Sequence, residues 1–260
     1  MHPTALAMAL AREAGAYQLQ HFGTRHRVRM KDPVDPVTEV DTFCETLIIQ
    51  GIRRHFPDHA IVAEEGGGGA AGESRWRWIV DPLDGTVNYL HGYPLFCVCI
   101  ALQEEGRTRL GVVYEPNRDE LFLATDDVPS TCNGERIAVS STERLLDALV
   151  ATGFAYGRER GELEINIPVF NALLRQTRAI RRPGVAGVDL AYVAAGRLDG
   201  FWEYYLKPWD VAAGALIVTQ AGGRVSMMDG TSFDPFGTEI LATNTRLHDT
   251  MSTAIAQAAI

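Results

Sequence analysis

The chain has 260 residues, of which 46% are hydrophobic and 22% charged, as in ordinary soluble globular proteins. This composition excludes a disordered or fibrous protein. The formal net charge of -9 disfavours a general nucleic-acid binder, because clustered lysine and arginine side chains hold phosphate backbones. No apolar run has the length of a membrane span and the N-terminus lacks a signal-peptide pattern, which predicts a cytoplasmic protein without membrane contacts.

The N-terminal part of the chain predicts two helices separated by a proline-containing segment. Apolar residues recur at helical spacing over 4–22 and again over 38–56, where Thr38 is suited to cap the second helix. Asp41 then lies near the start of that helix. Between the helices, the basic stretch 21–31 is interpreted as a solvated segment, with a polyanion site as the alternative.

Acidic residues follow the first two predicted strands. A strand over 60–63 is followed by Glu64, and a strand over 76–80 by Asp81 and Asp84 in a turn that proline and glycine enforce. A tight turn after a buried strand fixes carboxylate and carbonyl oxygens, and such hard ligands suit Mg²⁺. Backbone N–H groups just after this turn are available to hold an anion if a helix begins there.

The rest of the chain predicts a mixed sheet structure. Further strands are expected at 96–103, 109–114, 120–124, 149–152, 201–205 and 224–226, and further helices at 168–178, 188–195, 211–220 and 246–259. The first three of these strands resemble a meander, which favours a layered mixed sandwich over a purely parallel sheet. The glycine-rich stretch 66–72 predicts a mobile loop.

No repeat or linker divides the chain, so a single catalytic domain is expected over 1–260. Its N-terminal lobe would cover about 1–135 and its C-terminal lobe about 140–260. The four cysteines are too few and too scattered for a disulfide framework. Cys97 and Cys99 should point to the same face of a strand as buried, reduced thiols.

Each acidic position, taken alone, also has a structural explanation. Asp-Pro and Asp-Gly pairs are common in turns, so 81–85 could be only a turn. Glu64 could be solvated at a loop edge, and Asp210 could cap the helix predicted to begin at 211. The combination of segments decides between these readings.

That combination resembles the inositol monophosphatase family. The segment 78–91 (WIVDPLDGTVNYLH) resembles the first family signature and 208–218 (PWDVAAGALIV) resembles the second. Shorter similar segments occur in family order at 35–41, 63–65, 111–116 and 133–137. The resemblance therefore extends over nearly the whole chain.

The resemblance implies a mixed α/β (α+β) fold, arranged as a five-layered α/β/α/β/α sandwich, and a lithium-sensitive phosphatase with two or three Mg²⁺ ions per subunit. The first ion's implied ligands are Glu64, Asp81 and the Leu83 carbonyl, and those of the second are Asp81, Asp84 and Asp210. The implied catalytic residues are Asp41 and Thr86, which would orient the attacking water, and Glu64, which would face it.

The resemblance also implies a set of substrate contacts. Those residues are Asp84, Gly85, Thr86, Gly184, Ala186, Glu203 and Asp210. Further candidates are Lys31, Glu65 as a support for the ligands, and Val185, which stands where the family usually has serine. A carboxylate at position 203 suits a polyol, although a half-buried strand would also explain the alternation over 201–205.

The implied reaction is hydrolysis of a small phosphate monoester by metal-activated water. The segment 86–91 (TVNYLH) most resembles the branch that acts on myo-inositol 1-phosphate. Fructose 1,6-bisphosphate, histidinol phosphate and NADP are the alternative substrates, and a regulatory binding protein of the same fold is a further alternative. A homodimer is implied, and neither nucleic acid nor a membrane is expected as a partner.

Overall fold

The computed structural model describes residues 1–67, 74–155 and 161–258. Within these residues, helices and strands alternate in five layers, with helices outside two sheets and a further helical layer between the sheets. The predicted α/β/α/β/α sandwich is confirmed. The boundary between the sheets falls between residues 136 and 149, while the division into one domain with two lobes stays a prediction.

The first outer layer and the first sheet come from the N-terminal half of the chain. Helices α1 (Pro3–His21) and α2 (Glu39–His55) flank a hairpin of β1 (Val28–Asp32) and β2 (Asp35–Thr38). Behind the helices lies a seven-stranded sheet in sequence order, formed by β3 (Ala60–Ala63), β4 (Trp76–Asp84), β5 (Cys97–Glu104), β6 (Arg107–Glu115), β7 (Glu120–Thr125), β8 (Val128–Cys132) and β9 (Glu135–Arg136). Strands β3 and β4 are parallel, and the other neighbours are antiparallel.

The second sheet and the remaining helices follow. Helix α3 (Thr86–Leu90) is a single short segment after β4, and the middle layer is formed by α5 (Ala186–Ala194) and α6 (Pro208–Gln220). The five-stranded sheet has the order β11-β10-β12-β14-β13, with β10 (Leu149–Thr152), β11 (Ala179–Arg181), β12 (Gly200–Tyr204), β13 (Arg224–Ser226) and β14 (Glu239–Thr243). Helices α4 (Asn166–Leu174) and α7 (His248–Ala258) cover its outer face.

Strand β5 explains why an uninterrupted apolar run is needed at the centre of the first sheet. Val98 and Ile100 point into the core beneath α1 and α2, whereas Cys97, Cys99 and Ala101 point into the core shared with α5 and α6. Side chains alternate between the two faces of a strand, and both faces of β5 are covered. The predicted burial of the two cysteines on one face, as free thiols, is confirmed.

Two glycines allow helix α6 to lie close to its neighbours. A Cβ at Gly111 on β6 would stand 2.5 Å from the Ala213 carbonyl oxygen, and a Cβ at Gly214 would stand 2.6 Å from Leu190 on α5. Both contacts are too short for a real side chain. The depth to which α6 enters the sandwich, and with it the position of residues at the start of α6, depends on these two glycines.

The main helices and the antiparallel meander were predicted correctly, but several details were not. Helix α4 ends at Leu174 instead of reaching 178, and α5 and α6 begin two and three residues earlier than expected. Val28–Asp32 within the basic stretch forms a strand that was not predicted, and residues 28–31 are exposed, as expected for a solvated segment. The short strands β2, β8, β9, β11 and β14 were not predicted. Most of the predicted mobile loop, 68–72, lies outside the described residues.

None of the helices in the described ranges combines the length and the apolar character needed to cross a lipid bilayer. The cytoplasmic location remains a prediction from the sequence.

Helix α2 is predicted to lose stability when its cap is removed. The Thr38 hydroxyl accepts the N–H groups of Val40 and Asp41, and the Asp41 carboxylate accepts the Thr38 N–H at 2.9 Å. Thr38→Ala should cost about 1–2 kcal/mol of unfolding free energy in urea titrations, since an N-cap hydroxyl contributes that amount. Thr38→Ser keeps the hydroxyl and is the matched control. Equal stability of the two variants would contradict the role of the cap.

Candidate active site

Strand β4 carries an extra residue near its end, and this bulge puts two aspartates on one face of the sheet. Asp81 pairs with Cys99 and Asp84 with Cys97, so three steps along β4 match two steps along β5. In a regular strand, side chains three positions apart would point to opposite faces. Because the two cysteines share a face, both carboxylates are brought to that face.

The turn inside the bulge is fixed by hydrogen bonds to neighbouring groups. The Leu83 N–H donates to Asp81 Oδ1 at 3.0 Å, and the Gln18 side-chain amide donates to the Pro82 carbonyl at 2.7 Å. Proline has no N–H to add to the ladder, so the bulge leaves no backbone donor unpaired at that residue. Helix α1, which supplies Gln18, thereby supports the turn from behind.

Glu64 lies beside Asp81 because of the parallel pairing of β3 and β4. The register matches Ala63 with Val80, and the residue after each is the predicted metal ligand. The Glu64 N–H extends the pairing by donating to the Val80 carbonyl at 3.3 Å. The carboxyl ends of two parallel strands thus bring together two acids that are 17 positions apart in the sequence.

Lys31 is the cation that contacts this acidic edge. Its Nζ atom is 2.9 Å from Glu64 Oε1, and it also forms an ion pair with Glu65. The backbone N–H groups of Glu65 and Gly67 donate to the Glu45 carboxylate at 2.7 and 2.8 Å. Glu65 therefore holds Lys31 beside Glu64, a position in which Glu65 can support the ligands. Glu45 holds the backbone that follows β3.

Asp41 and Thr86 form the predicted pair. The Thr86 hydroxyl is 2.8 Å from Asp41 Oδ1 and 3.1 Å from the Leu83 carbonyl oxygen. The other Asp41 oxygen accepts the Thr38 N–H and hydroxyl in the capping box of α2. Asp41 is fully buried, and both of its oxygens are engaged, so the carboxylate has a fixed orientation.

Asp210 enters the site from the first turn of helix α6. The helix begins at Pro208, so Asp210 is its third residue and not its N-cap. Its Oδ2 atom accepts the Lys207 N–H at 2.7 Å. The structural alternative is therefore partly correct, since the carboxylate does close the start of the helix. That same bond fixes the side chain at the edge of the cavity described below.

Helix α5 contacts the bulge through its first residues. The Gly187 N–H donates to Asp84 Oδ2 at 2.7 Å, and Ala186 begins the helix. A Cβ at Gly85, where φ is +100°, would lie 2.9 Å from Val185 Cγ2, so this turn requires glycine. Val185, a candidate substrate contact, has a completely buried side chain that packs toward the turn.

Glu203 points from β12 toward the same region. A Cβ at Gly153 would lie 2.1 Å from the Glu203 carboxylate oxygens, so the carboxylate occupies the space that a side chain at 153 would fill. Arg182 is the cation whose charge acts on Glu203, and its guanidinium also lies over Gly184. Phe201, Trp202 and Tyr204 are all buried, so β12 is not a half-buried strand, and Glu203 faces the cavity and not open solvent.

A cavity of about 390 Å³ opens at this edge of the sandwich. It lies between the acidic edge of the first sheet and the end of β12. Its lining residues in the described ranges include both acidic and aromatic side chains: Lys31, Asp35, Glu64, Phe154, Ala155, Glu162, Glu203, Tyr204, Tyr205, Leu206, Lys207, Trp209 and Asp210. Charged groups and an apolar wall are thus available to one small ligand.

Comparison with known proteins decides the family. The family model described as the inositol monophosphatase family matches residues 2–260. The chain belongs to the inositol monophosphatase family. It is 44% identical to the inositol-1-monophosphatase of Synechocystis over 94% of this chain and 85% of that protein.

Two further matches support this assignment. The chain is 43% identical to the Nus factor SuhB of Pseudomonas aeruginosa over 88% of this chain and 85% of that protein. The solved inositol monophosphatase of Anabaena superposes with a TM-score of 0.88 at 39% identity, covering 98% of this chain and 95% of that one. The chain is accordingly a phosphoric monoester hydrolase, and enzymes of its family are generally metal-dependent.

The acidic cluster shows the electrostatic cost of assembling carboxylates in a partly buried site. Burial raises the pKa of Glu64 to about 8, of Asp84 to about 7 and of Asp210 to about 6. Repulsion from Asp210 adds to the pKa shifts of Glu64 and Asp84. Asp81 has its pKa raised well above the usual range by burial and by the charges of Glu64 and Asp84. The positive charge of Lys31 and its hydrogen bond act in the opposite direction and lower the pKa of Glu64.

These properties fit a divalent cation. The donors at the end of β4 and the start of α6 are carboxylate and carbonyl oxygens, which are the ligands that Mg²⁺ prefers. A cation among them would offset the repulsion that raises their pKa values and keep them ionised. The residues present therefore suit magnesium, and Lys31 alone would not neutralise four carboxylates.

Sequence reasoning missed several residues that shape this site. Glu45 and Gly153 act through contacts with residues 20 and 50 positions away, so no local motif could have identified them. Gly187 directly follows Ala186, a predicted substrate contact, but its hydrogen bond to Asp84 was not foreseen. Lys207 immediately precedes the second signature and Trp209 lies within it, and this proximity to Asp210 was the available signal.

The pKa shifts predict an unusual pH dependence for the metal-free protein. Carboxyl groups whose pKa is raised on folding bind protons more tightly in the folded chain, so the free energy of unfolding falls as pH rises from about 4 toward 8. Thermal unfolding in EDTA should show a falling melting temperature over this range. Added Mg²⁺ should stabilise the protein more at pH 8 than at pH 5, because bound metal replaces the protons.

Asp84→Asn is the control for this pH dependence, since it removes one of the titrating groups. In EDTA, its melting temperature should depend less on pH than that of the unaltered protein. A melting temperature that rises steadily between pH 5 and 8 without metal would contradict the interpretation.

Proposed function

We propose that this enzyme hydrolyses myo-inositol 1-phosphate to myo-inositol and phosphate with two or three bound Mg²⁺ ions, and that lithium inhibits it. The observation that carries the proposal is the convergence of Asp81 and Asp84 on one face of β4, beside Glu64 and within the electrostatic range of Asp210. A phosphate monoester is a dianion that repels a nucleophile, and the cations that these anionic ligands would hold offset that repulsion.

The proposed metal ligands divide the cluster into two overlapping sets. Glu64, Asp81 and the Leu83 carbonyl would hold one ion, and Asp81, Asp84 and Asp210 would hold another. When bound, magnesium supplies charge neutralisation at the phosphate, a lowered pKa for water and support for the departing alkoxide. The support for Asp81 as the shared ligand is its position between the other acids, whose charges all act on it.

The chain's own residues would orient the attacking water. Thr86 has one hydroxyl hydrogen, and the Asp41 carboxyl oxygen at 2.8 Å is a nearer acceptor than the Leu83 carbonyl oxygen at 3.1 Å. Because that hydrogen is donated to Asp41, the Thr86 oxygen can only accept hydrogen bonds. It can therefore accept a hydrogen bond from the water and so direct a lone pair of the water toward phosphorus. Glu64 would face the same water. Gly85 and Thr86 would contact the phosphate.

Glu203 supports a polyol as the substrate. Burial, with repulsion from Asp210, raises the pKa of Glu203 to about 8. Its carboxyl group can exchange hydrogen bonds with substrate hydroxyl groups. Gly184 and Ala186 would border the sugar ring or cyclitol. Fructose 1,6-bisphosphate, histidinol phosphate and NADP remain the other substrates to compare.

A regulatory binding function is the second candidate, and it is supported by the name Nus factor carried by relatives at 42% and 43% identity. The complete set of acidic ligands favours catalysis. A homodimer is part of the proposal and sedimentation would test it. If the Asp84→Asn variant lacked activity but complemented a deletion of the gene in the native host, the regulatory function would be the essential one.

Asp84→Asn should lower Mg²⁺-dependent release of phosphate from myo-inositol 1-phosphate by at least about 100-fold, because it removes a negative ligand at the centre of the cluster. Phosphate release would be measured at saturating substrate, and excess chelator should cause a similar loss in the unaltered protein. Asp229→Asn is a control at a surface turn, where Asp229 caps Thr231. Activity of Asp84→Asn equal to that control would refute the proposal.

Glu203→Gln should raise the KM for myo-inositol 1-phosphate by about 3–10-fold, since an ordinary hydrogen bond contributes about 0.5–1.5 kcal/mol. The KM for p-nitrophenyl phosphate, which has no polyol hydroxyls, should change little. Gly153→Ala provides an independent variant, because its new Cβ would displace the Glu203 carboxylate. An equal change in KM for both substrates would show that Glu203 does not recognise hydroxyl groups.

A further inference from the structure

Two cysteine thiols stand directly behind the acidic cluster. Cys97 and Cys99 face the same side of β5, and the strand register puts them opposite Asp84 and Asp81. Both cysteines are almost completely buried, whereas Asp84 is partly exposed. Asp84 therefore lies at the boundary between the solvent side of the site and the thiols.

The three donor groups are close enough to share one ion. The two Sγ atoms are 3.7 Å apart, and Cys97 Sγ is 3.7 Å from Asp84 Oδ2. The donor atoms of all three residues lie within 4.8 Å of one another. A tetrahedral zinc ion with Zn–S bonds of about 2.3 Å requires its two sulfur ligands to be about 3.8 Å apart. The thiol spacing matches this value without movement of the strand.

Gly187 is the residue of helix α5 that packs against these donors. A Cβ at this position would lie 2.4 Å from Cys99 Sγ, 2.9 Å from Cys97 Sγ and 3.1 Å from Asp84 Oδ2. The glycine backbone therefore lies close to all three donor groups, and any side chain at 187 would clash with them. The Gly187 N–H also donates to Asp84 Oδ2 and keeps that oxygen beside the thiols.

We propose that Asp84, Cys97 and Cys99 form a site for a thiophilic divalent cation such as Zn²⁺ or Cd²⁺, which inhibits the enzyme by taking Asp84 from magnesium. Two thiolates and a carboxylate suit zinc and cadmium, whereas magnesium takes oxygen ligands and does not use sulfur. Binding replaces the thiol protons with the metal, and solvent supplies the fourth ligand. The inhibition rests on the proposed function, but metal binding by the thiols does not.

Cadmium binding tests the site without any assay of activity. Cd²⁺ added to the metal-free protein should produce the ultraviolet absorption of cadmium–thiolate bonds, saturating at one ion per chain. Cys97→Ser with Cys99→Ser should abolish this absorption, because serine keeps the hydrogen bond to Asp84 but does not form such bonds. Cys44→Ser with Cys132→Ser is the matched control and should leave the absorption unchanged.

An absorption that is absent from the unaltered protein, or that survives in the Cys97 and Cys99 variant, would overturn the proposal. If the double variant does not fold, Cys99→Ala alone removes one of the two sulfur ligands and should weaken cadmium binding by about 10–100-fold.

Zinc inhibition then tests the consequence. With Mg²⁺ fixed, the zinc concentration that halves phosphate release should rise by at least about tenfold in the Cys97→Ser and Cys99→Ser variant. The Cys44 and Cys132 control should keep the original sensitivity. Equal zinc sensitivity of all three proteins would refute inhibition through this site. A lack of phosphate release in every protein would instead refute the proposed substrate, while the cadmium result would stand.

Discussion

The mutual repulsion of four carboxylates is the interaction around which this end of the molecule is organised. Glu64, Asp81, Asp84 and Asp210 come from three separate segments of the chain. Burial raises the pKa values of all four, and mutual repulsion adds to the shifts of Glu64, Asp81 and Asp84. Such a cluster costs stability when its carboxylates are ionised and no cation is bound. The protein accepts that cost at a single edge, where two neighbouring strands of one sheet and the start of a helix hold the groups rigidly.

The surrounding backbone offsets part of this cost with directed donors. Gly187 at the start of α5 donates to Asp84, and Lys207 just before α6 donates to Asp210. The first turn of a helix is a favourable place for a negative group, because its N–H groups are unpaired and the helix dipole is positive there. The middle helical layer thus fixes the carboxylates as well as separating the two sheets.

Close packing of backbone against backbone makes this arrangement possible. Gly111 and Gly214 allow α6 to approach β6 and α5, Gly85 allows the turn after β4, and Gly153 leaves room for Glu203. None of these glycines contributes a side chain to the site. Each removes a side chain where a neighbouring element or a functional group must come within a few ångströms, so the shape of the cavity depends on them.

The sequence by itself determined the main elements, the layered mixed fold and the acidic residues. Helical periodicity, the Thr38 cap, the apolar strand over Trp78–Val80 and the two signature segments are local signals, and local signals survive without knowledge of the fold. Short strands such as β8 and β11 were missed because a few residues carry too little periodicity, and their pairing is decided by distant partners.

Only the tertiary structure decided how these groups act together. The bulge in β4 fixes the common face of Asp81 and Asp84, and the register with β5 puts Cys97 and Cys99 behind them. Lys31, a candidate site residue in the basic stretch, is paired with Glu64 and Glu65, and the side chain of Val185 is buried against the turn after β4. The physical reason is the same in each case: register, burial and ion pairing depend on residues that are distant in sequence.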